Sequence, residues 1–130
     1  MVIDTSALVA ILGMQPEAAR LAQAIEADPS RLVSAATVVE AGIVVESRYG
    51  EAGGRELDLL LARAGCSVEP VTAEQADVAR EAWRRFGRGR HSAGLNFGDC
   101  FGYALARVSG EPLLFKGDDF PATDVAAVPY

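Results

Sequence analysis

The chain has 130 residues and a net charge of −6, a length typical of one domain, and we expect residues 1–130 to form it. Half of the residues are hydrophobic and 23% are charged, a balance that excludes a disordered or low-complexity chain. No apolar stretch approaches the roughly 20 residues of a membrane span, and the opening residues lack a basic secretory segment. We therefore expect a cytoplasmic protein with no membrane association.

Apolar runs and helix-breaking residues divide the first half of the chain into alternating strands and helices. The pattern predicts strands over residues 1–4 and 31–34, and helices over residues 5–13, 16–27, 35–49 and 51–64. Thr5 and Ser6 have side chains that favour a helix start, and Gly50 and Gly65 follow the last two helices, where glycine is preferred.

The second half continues the alternation. The pattern predicts strands over residues 67–71, 112–115 and, shorter, 125–128, helices over residues 73–86 and 97–108, and a flexible basic loop over residues 87–95. An apolar stripe marks one face of helix 73–86 and consists of Ala76, Ala79, Trp83 and Phe86. Strands that alternate with helices indicate the α/β class, here a three-layer α/β/α domain with a mainly parallel central sheet of about five strands.

Acidic residues follow the predicted strands at four points of the chain. These residues are Asp4, Glu40, Asp99 and the adjacent pair Asp118 and Asp119. In open α/β sheets, functional sites form beyond the carboxyl ends of the strands. We therefore expect these carboxylates to meet in one pocket.

Each acid also has a purely structural interpretation. Asp4 is a suitable N-cap, and Glu40 lies three residues after Thr37 in the spacing of a capping box. Asn96 and Asp99 have the same spacing, and the last acidic pair suits an ordinary turn. Taken singly, none of the acids identifies a function.

The apolar surroundings of the acids favour a bound cation. Two carboxylates ~4 Å apart repel each other by about 4 kcal/mol at an effective dielectric near 20, so several in one pocket need a counter-ion. Oxygen ligands suit Mg²⁺ or Mn²⁺. His91 is the single histidine, and Cys66 and Cys100, expected as free thiols, lack the spacing of zinc ligands. The chemistry that fits is metal-assisted phosphodiester hydrolysis.

One basic segment stands out on this acidic chain. Residues 84–91 carry four arginines, Arg88 and Arg90 among them, and no acid. The net charge argues against loose coating of nucleic acid, so a polyanion would have to be bound locally. Two interpretations stay open for the segment: it holds a substrate backbone, or it is a solvated helix end and loop.

Four segments together resemble the PIN-domain ribonucleases and, more narrowly, the VapC toxins of bacterial VapBC toxin–antitoxin pairs. They are MVIDTSALVAIL, ATVVEAG, GLNFGDCFGYALA and LLFKGDDF, in family order along essentially the whole chain. The resemblance implies a magnesium-dependent endoribonuclease in which Mn²⁺ can substitute. It also implies a homodimer that is inhibited by a VapB-type antitoxin, whose C-terminal segment fills the acidic groove.

The resemblance carries the family's four acids onto this sequence. The first and third fall on Asp4 and Asp99, which are expected to hold the metal. The second falls on Glu40, as a further ligand or as the group that orients the attacking water. The fourth is expected at Asp119, with Asp118 as the alternative.

The same resemblance suggests supporting roles around the acids. The hydroxyls of Thr5 and Ser6 are expected to contact the acid cluster. Asn96 is expected to steady the neighbouring acid or to touch substrate. The loop that contains Arg88 and Arg90 is expected near the mouth of the site, with no role fixed for its individual residues.

Two other functions remain open at this stage. Phospho-acceptor receivers and Asp-nucleophile phosphatases also end a strand with an acid, but they require further acids where this chain has Val2, Ile3 or Ser6. The second alternative is a catalytically silent PIN-like module that binds RNA or a protein. Apolar residues on the helices between 35 and 64 are candidates for a dimer face, or else for the core.

Overall fold

A computed structural model describes all 130 residues. The strands are β1 (Val2–Ile3), β2 (Leu32–Ser34), β3 (Ser67–Glu69) and β4 (Leu113–Leu114). The α-helices are α1 (Thr5–Leu12), α2 (Ala18–Ala27), α3 (Ala35–Tyr49), α4 (Glu51–Arg63), α5 (Ala73–Phe86) and α6 (Phe97–Ser109). A short 3₁₀ helix, Phe120–Ala122, follows β4. None of the helices combines the length and apolar composition that a bilayer crossing demands.

The four strands form one parallel sheet in the order β3-β2-β1-β4. The chain adds β2 and β3 on one side of β1 and then returns to place β4 on its other side. The strand order therefore reverses at β1, and the carboxyl ends of β1 and β4 lie side by side. Such a reversal is where open α/β sheets form their binding crevices.

The predicted fifth strand over residues 125–128 is reduced to a single parallel bridge between Leu113 and Ala127. Two hydrogen bonds make it, from the Leu113 N–H to the Ala126 carbonyl (2.8 Å) and from the Val128 N–H to the Leu113 carbonyl (2.9 Å). Because β4 has only two residues, Leu113 alone turns both of its backbone groups toward this edge. The α/β class and the parallel sheet are confirmed, with four strands instead of about five.

Alternation along the short strands divides the core into two buried clusters, one on each face of the sheet. Ile3, Val33 and Leu114 face a cluster that α1 to α4 complete. Val2 and Leu113 face the opposite cluster, which α5 and α6 complete. The three-layer arrangement is therefore confirmed.

Two segments differ from their predicted form. The helix expected over residues 16–27 begins at Ala18, because a turn in which the Ala18 N–H donates to the Gln15 carbonyl (2.9 Å) precedes it. The loop 87–95, expected to be flexible, is closed by a bridge between Gly87 and Leu95. The Leu95 N–H donates to the Phe86 carbonyl and the Arg88 N–H to the Leu95 carbonyl, both at 2.9 Å.

The buried face of α5 is also rotated from the predicted stripe. The side chains of Gln75, Ala79, Ala82 and Phe86 are buried, whereas Trp83 is 43% exposed. α5 packs mainly on α6, and small residues at 79 and 82 let the two helices approach closely. The indole consequently lies at the border of the contact, beside the loop that follows.

Candidate functional site

Asp4 lies directly after β1 and caps α1. Its Oδ2 atom accepts hydrogen bonds from the Ser6 N–H (2.9 Å) and the Ser6 hydroxyl (2.6 Å). The Ser6 Oγ atom in turn accepts from the Lys116 N–H (2.9 Å), just beyond β4. Ser6 therefore ties the ends of β1 and β4 together and orients the carboxylate between them.

Burial strongly perturbs Asp4. The residue is 2% exposed, and desolvation raises its pKa to about 6, with a further increase from the nearby charge of Glu40 and an opposing decrease from the Ser6 hydrogen bonds. Lys116 does not neutralise it, because its ammonium group forms an ion pair with Glu17 (3.0 Å) and a hydrogen bond with Gln15.

Glu40 reaches the site from the second turn of α3. Its Oε2 atom accepts a hydrogen bond from the Thr5 hydroxyl (2.9 Å). The capping-box interpretation of Thr37 and Glu40 is wrong, because α3 starts three residues earlier than that motif requires. Ser34, at the end of β2, is the N-cap and accepts from the Ala36 N–H (3.3 Å). Glu40 is therefore free of a capping role.

Asp99 enters the site from the first turn of α6. Its Oδ2 atom accepts from the Asn96 N–H (2.8 Å), while the Asn96 Oδ1 atom accepts from the Asp99 N–H (2.9 Å). The predicted capping box is thus present, and it leaves the other Asp99 oxygen without a hydrogen bond. Asn96 holds Asp99 in place, which is one of the two roles suggested for it.

The pKa of Asp99 depends on burial and on the charges of three other acids. Burial raises its pKa to about 6, and the charges of Asp4, Asp119 and Glu40 raise it further, against a decrease from the hydrogen bond with Asn96. Residues separated by more than 100 positions in the sequence therefore act on one carboxylate. The structure brings these acids together beside the β1/β4 reversal.

Two glycines of α6 make this convergence possible, and sequence reasoning missed both. A Cβ atom on Gly98 would overlap the Glu40 carboxylate, and one on Gly102 would lie 3.1 Å from Asp4 Oδ1. Because glycine costs about 1 kcal/mol relative to alanine inside a helix, a pair of glycines four residues apart was the available signal. They flank Asp99 and let two carboxylates approach the helix backbone.

The fourth acid lies in the turn after β4. Asp118 and Asp119 are both exposed, and Asp119 is held next to Phe120, which is buried. Asp119 is among the main charges that raise the pKa of Asp99, whereas Asp118 is not. Asp119 is therefore the member of the pair whose charge acts on Asp99.

The basic loop contributes two arginines of different character. The Arg90 guanidinium lies over the Trp83 ring, 4.3 Å from its centroid. Arg88 is exposed, and its side chain forms no hydrogen bond or ion pair. Neither arginine is paired with the acid cluster.

The cluster offers only oxygen ligands. Each of its three inner acids has one carboxylate oxygen that accepts no hydrogen bond from the protein. Oδ2 of Asp4, Oδ2 of Asp99 and Oε2 of Glu40 accept hydrogen bonds from the protein, whereas their second oxygens accept none. No three His, Cys, Asp or Glu side chains stand together as a ready metal site. Mg²⁺ requires fewer, because one or two carboxylates and several waters commonly bind it. The donor set therefore fits Mg²⁺ or Mn²⁺.

The chain has close relatives among the mycobacteria. It is 63% identical to Ribonuclease VapC of Mycolicibacterium smegmatis, over 98% of this chain and 99% of the relative. It is 59% identical to Ribonuclease VapC30 of Mycobacterium tuberculosis, over 98% of both chains. The PIN domain family matches residues 1–126.

Solved structures share the fold. Mycobacterium tuberculosis VapC20, described as a sarcin-ricin loop cleaving toxin, has a TM-score of 0.80 at 19% identity and covers 98% of this chain and 97% of its own. A toxin–antitoxin complex from Klebsiella pneumoniae has a TM-score of 0.71 at 20% identity, with 99% and 97% covered. Structural similarity at these identities establishes the fold. The family match and the close relatives establish the family. The chain belongs to the PIN-domain family and, within it, to the VapC ribonucleases.

Proposed function

We propose that residues 1–130 act as one PIN domain, a Mg²⁺-dependent endoribonuclease that serves in the cytoplasm as the toxin of a VapBC-type module. The observation that carries the proposal is the convergence of four acids from β1, α3, α6 and the turn after β4. Two of them, Asp4 and Asp99, have pKa values raised to about 6 by burial and by neighbouring carboxylates. Such a cluster is costly to the fold unless a cation binds there.

Asp4 and Asp99 would hold the metal through the oxygens that the protein leaves unbonded. When bound, Mg²⁺ or Mn²⁺ lowers the pKa of a water and polarises the phosphoryl group under attack. Glu40, fixed by the Thr5 hydroxyl, would accept a hydrogen bond from the attacking water and orient it. Asp119, exposed at the rim, would complete the acidic lining.

The supporting residues would act through the acids. Ser6 holds Asp4 Oδ2 and leaves Oδ1 without a hydrogen bond from the protein. Asn96 does the same for Asp99. Each acid therefore presents its free oxygen in a fixed direction, which limits the reorganisation needed when the metal and substrate bind.

Asp99→Asn tests the proposal directly. Asparagine keeps the hydrogen bond with the Asn96 N–H but loses the charge that binds the metal, so we expect RNA cleavage to fall at least 100-fold with the fold intact. The measurement is cleavage of a fluorescent RNA in Mg²⁺, with EDTA abolishing the wild-type activity and Mn²⁺ restoring it. Asp58→Asn, an exposed acid on α4, is the matched control.

Two outcomes would contradict the proposal. Full cleavage by the Asp99→Asn variant, or wild-type activity that survives chelation, would exclude the metal mechanism. RNA binding without cleavage by the wild-type protein, even in saturating Mn²⁺, would favour the silent RNA- or protein-binding module instead.

The same acidic pocket supports a VapB-type antitoxin as partner. No arginine or lysine of this chain pairs with Asp4, Glu40 or Asp99, so the pocket retains its negative charge. An arginine of an antitoxin segment placed there would gain charge-assisted hydrogen bonds and would occupy the metal position. The net charge of −6 suits a basic partner.

A homodimer is supported by the outer face of α3. Val39 is 63% exposed and Ile43 is 64% exposed, one turn apart on the same side of the helix. Exposed apolar neighbours of this size mark a protein contact. Among the predicted alternatives for the helices between residues 35 and 64, these side chains belong to the surface and not to the core.

A further inference from the structure

A cavity of about 680 Å³ lies between α5 and α6, and one residue of the basic loop also lines it. Its apolar lining includes three aromatic rings, from Trp83, Phe97 and Phe101, and its rim carries three arginines, Arg80, Arg84 and Arg90. No acidic side chain lines it. We call it the aromatic–arginine cavity.

The aromatic rings of this cavity are held in position while exposed to solvent. Trp83 is 43% exposed and Phe97 is 81% exposed. A Cβ atom on Gly87 would lie 2.6 Å from Trp83 Cδ1, so the missing side chain at 87 lets the backbone pack against the indole edge. Phe97 meets Phe101 edge to face at 4.9 Å between ring centroids. Rings fixed in this way lose little freedom when a flat ligand stacks on them.

The positive charge of the cavity is largely uncompensated. Arg84 and Arg90 form no ion pair, and Arg80 meets Asp77 only at 3.8 Å with both side chains mostly exposed, an arrangement of little energetic value. Three such guanidinium groups on a chain of net charge −6 select for an anionic ligand. The Arg90 guanidinium already lies over the Trp83 ring at 4.3 Å, as arginines do beside stacked bases.

The cavity adjoins a second groove, whose other wall is the exposed apolar face of α3. Phe97 and Phe101 also line the neighbouring groove, which Glu40 and Asn96 border. A ligand bound across these two rings therefore reaches from the cavity to the Glu40 carboxylate.

We propose that the aromatic–arginine cavity binds an unpaired base of the RNA substrate, which extends the Arg90–Trp83 stack, while Arg80 and Arg84 hold the adjacent phosphates. This inference rests on the proposed ribonuclease function and adds to it a binding subsite for one unpaired base. Aromatic rings and guanidinium planes recognise RNA when bases are unstacked. Base-paired RNA keeps its bases inside the helix and offers only phosphates.

Trp83 provides its own probe, because it is the single tryptophan of the chain. The Asp99→Asn variant, which leaves RNA uncut, is titrated with a 12-nucleotide unstructured RNA, the matching duplex, and inorganic polyphosphate. We expect the single strand to quench the tryptophan fluorescence strongly and the duplex to quench weakly, whereas polyphosphate binds without quenching. Equal quenching by all three ligands, or none by the single strand, would overturn the inference.

Substitutions separate stacking from charge. Trp83→Leu is expected to weaken single-strand binding about 5- to 100-fold, which is the range for loss of one stacked base, and Trp83→Phe to retain most of it. Arg90→Gln is expected to weaken binding, whereas Arg55→Gln, an exposed arginine on α4, leaves it unchanged. In the cleaving enzyme, Trp83→Leu is expected to raise KM more than it lowers kcat.

The outcomes also distinguish this inference from the proposed function. Wild-type cleavage with unchanged RNA affinity in Trp83→Leu overturns the stacking site and leaves the ribonuclease standing. Tryptophan quenching by RNA without any cleavage by the wild type supports the stacking site and overturns the proposed ribonuclease function. Loss of dimerisation or of antitoxin binding by Trp83→Leu, with RNA binding unaffected, assigns the cavity to a protein partner and overturns the inference.

Discussion

Asp4 and Asp99 each hold a pKa of about 6, raised mainly by burial and then by the other acids of the cluster. The folded protein therefore binds protons more tightly than the unfolded chain between about pH 4 and pH 6. The free energy of unfolding falls with rising pH wherever the folded state binds more protons than the unfolded state. These two groups therefore lower the free energy of unfolding as the pH rises through that range. At neutral pH the metal-free site is a source of instability.

Asp99→Asn should consequently stabilise the metal-free protein at pH 7.5. After a discount for its partial exposure, we expect a gain of about 1 kcal/mol, or about 3–5 °C in Tm. At pH 4.5 the gain should shrink, because Asp99 is then largely protonated in the wild type as well. Thermal unfolding in EDTA at both pH values measures this, and Asp58→Asn should change Tm little at either. A lower Tm for Asp99→Asn at pH 7.5 would contradict the electrostatic account.

At the residue scale, the acids and their local caps could be predicted from the sequence, whereas their tertiary contacts could not. Asp4, Asp99 and Asn96 could be placed because caps and strand ends follow local rules. The link from the Lys116 N–H to Ser6 could not, because backbone donors leave no mark on the sequence. The capping box at Thr37 failed because Ser34 competes for the same role.

Among the elements, α6 has the most demanding position. It supplies Asp99, and its backbone at Gly98 and Gly102 receives the Glu40 and Asp4 carboxylates. A helix with ordinary side chains at these positions would displace the acids that it is meant to gather. The two glycines therefore lower the stability of the helix, but they let the two carboxylates approach its backbone closely.

Gly98→Ala tests this role of the glycines. The added methyl group would overlap the Glu40 carboxylate, so we expect RNA cleavage to fall at least 10-fold, while the better helix propensity of alanine limits the loss of stability to about 1 kcal/mol. Gly42→Ala on α3 is the matched control, since its methyl group would meet only Leu57 Cδ2 at 3.9 Å. Cleavage assays and thermal unfolding of both variants measure the effects, and full activity of Gly98→Ala would refute this role.

The elements themselves differed in how far the sequence could define them. The long helices α3 and α5 were predicted to within a residue, because periodicity accumulates over several turns. Residues 125–128 carry an apolar pattern but meet a strand of only two residues, so tertiary context reduced them to one bridge. Trp83 fits the apolar stripe of α5 and still lies outside the core, because the helix contact is set by its smallest side chains.

For the whole molecule, the exposed apolar face of α3 predicts assembly. We expect the wild-type protein to sediment as a dimer of the 13.7 kDa chain, and Ile43→Glu to sediment as a monomer because a buried unpaired charge is costly at an interface. Val71→Glu, at another exposed apolar residue, should remain dimeric. Circular dichroism checks that each variant is folded. A dimer that persists in Ile43→Glu would place the interface elsewhere.

The reversal of strand order at β1 determines when, during synthesis of the chain, the acid cluster can form. β1 is made first, yet one of its two neighbours in the sheet is β4, the last strand, and the cluster draws on acids from residue 4 to residue 119. A nascent polypeptide therefore lacks a working centre until nearly all of it has left the ribosome. Synthesis of the chain itself therefore delays the assembly of the acid cluster.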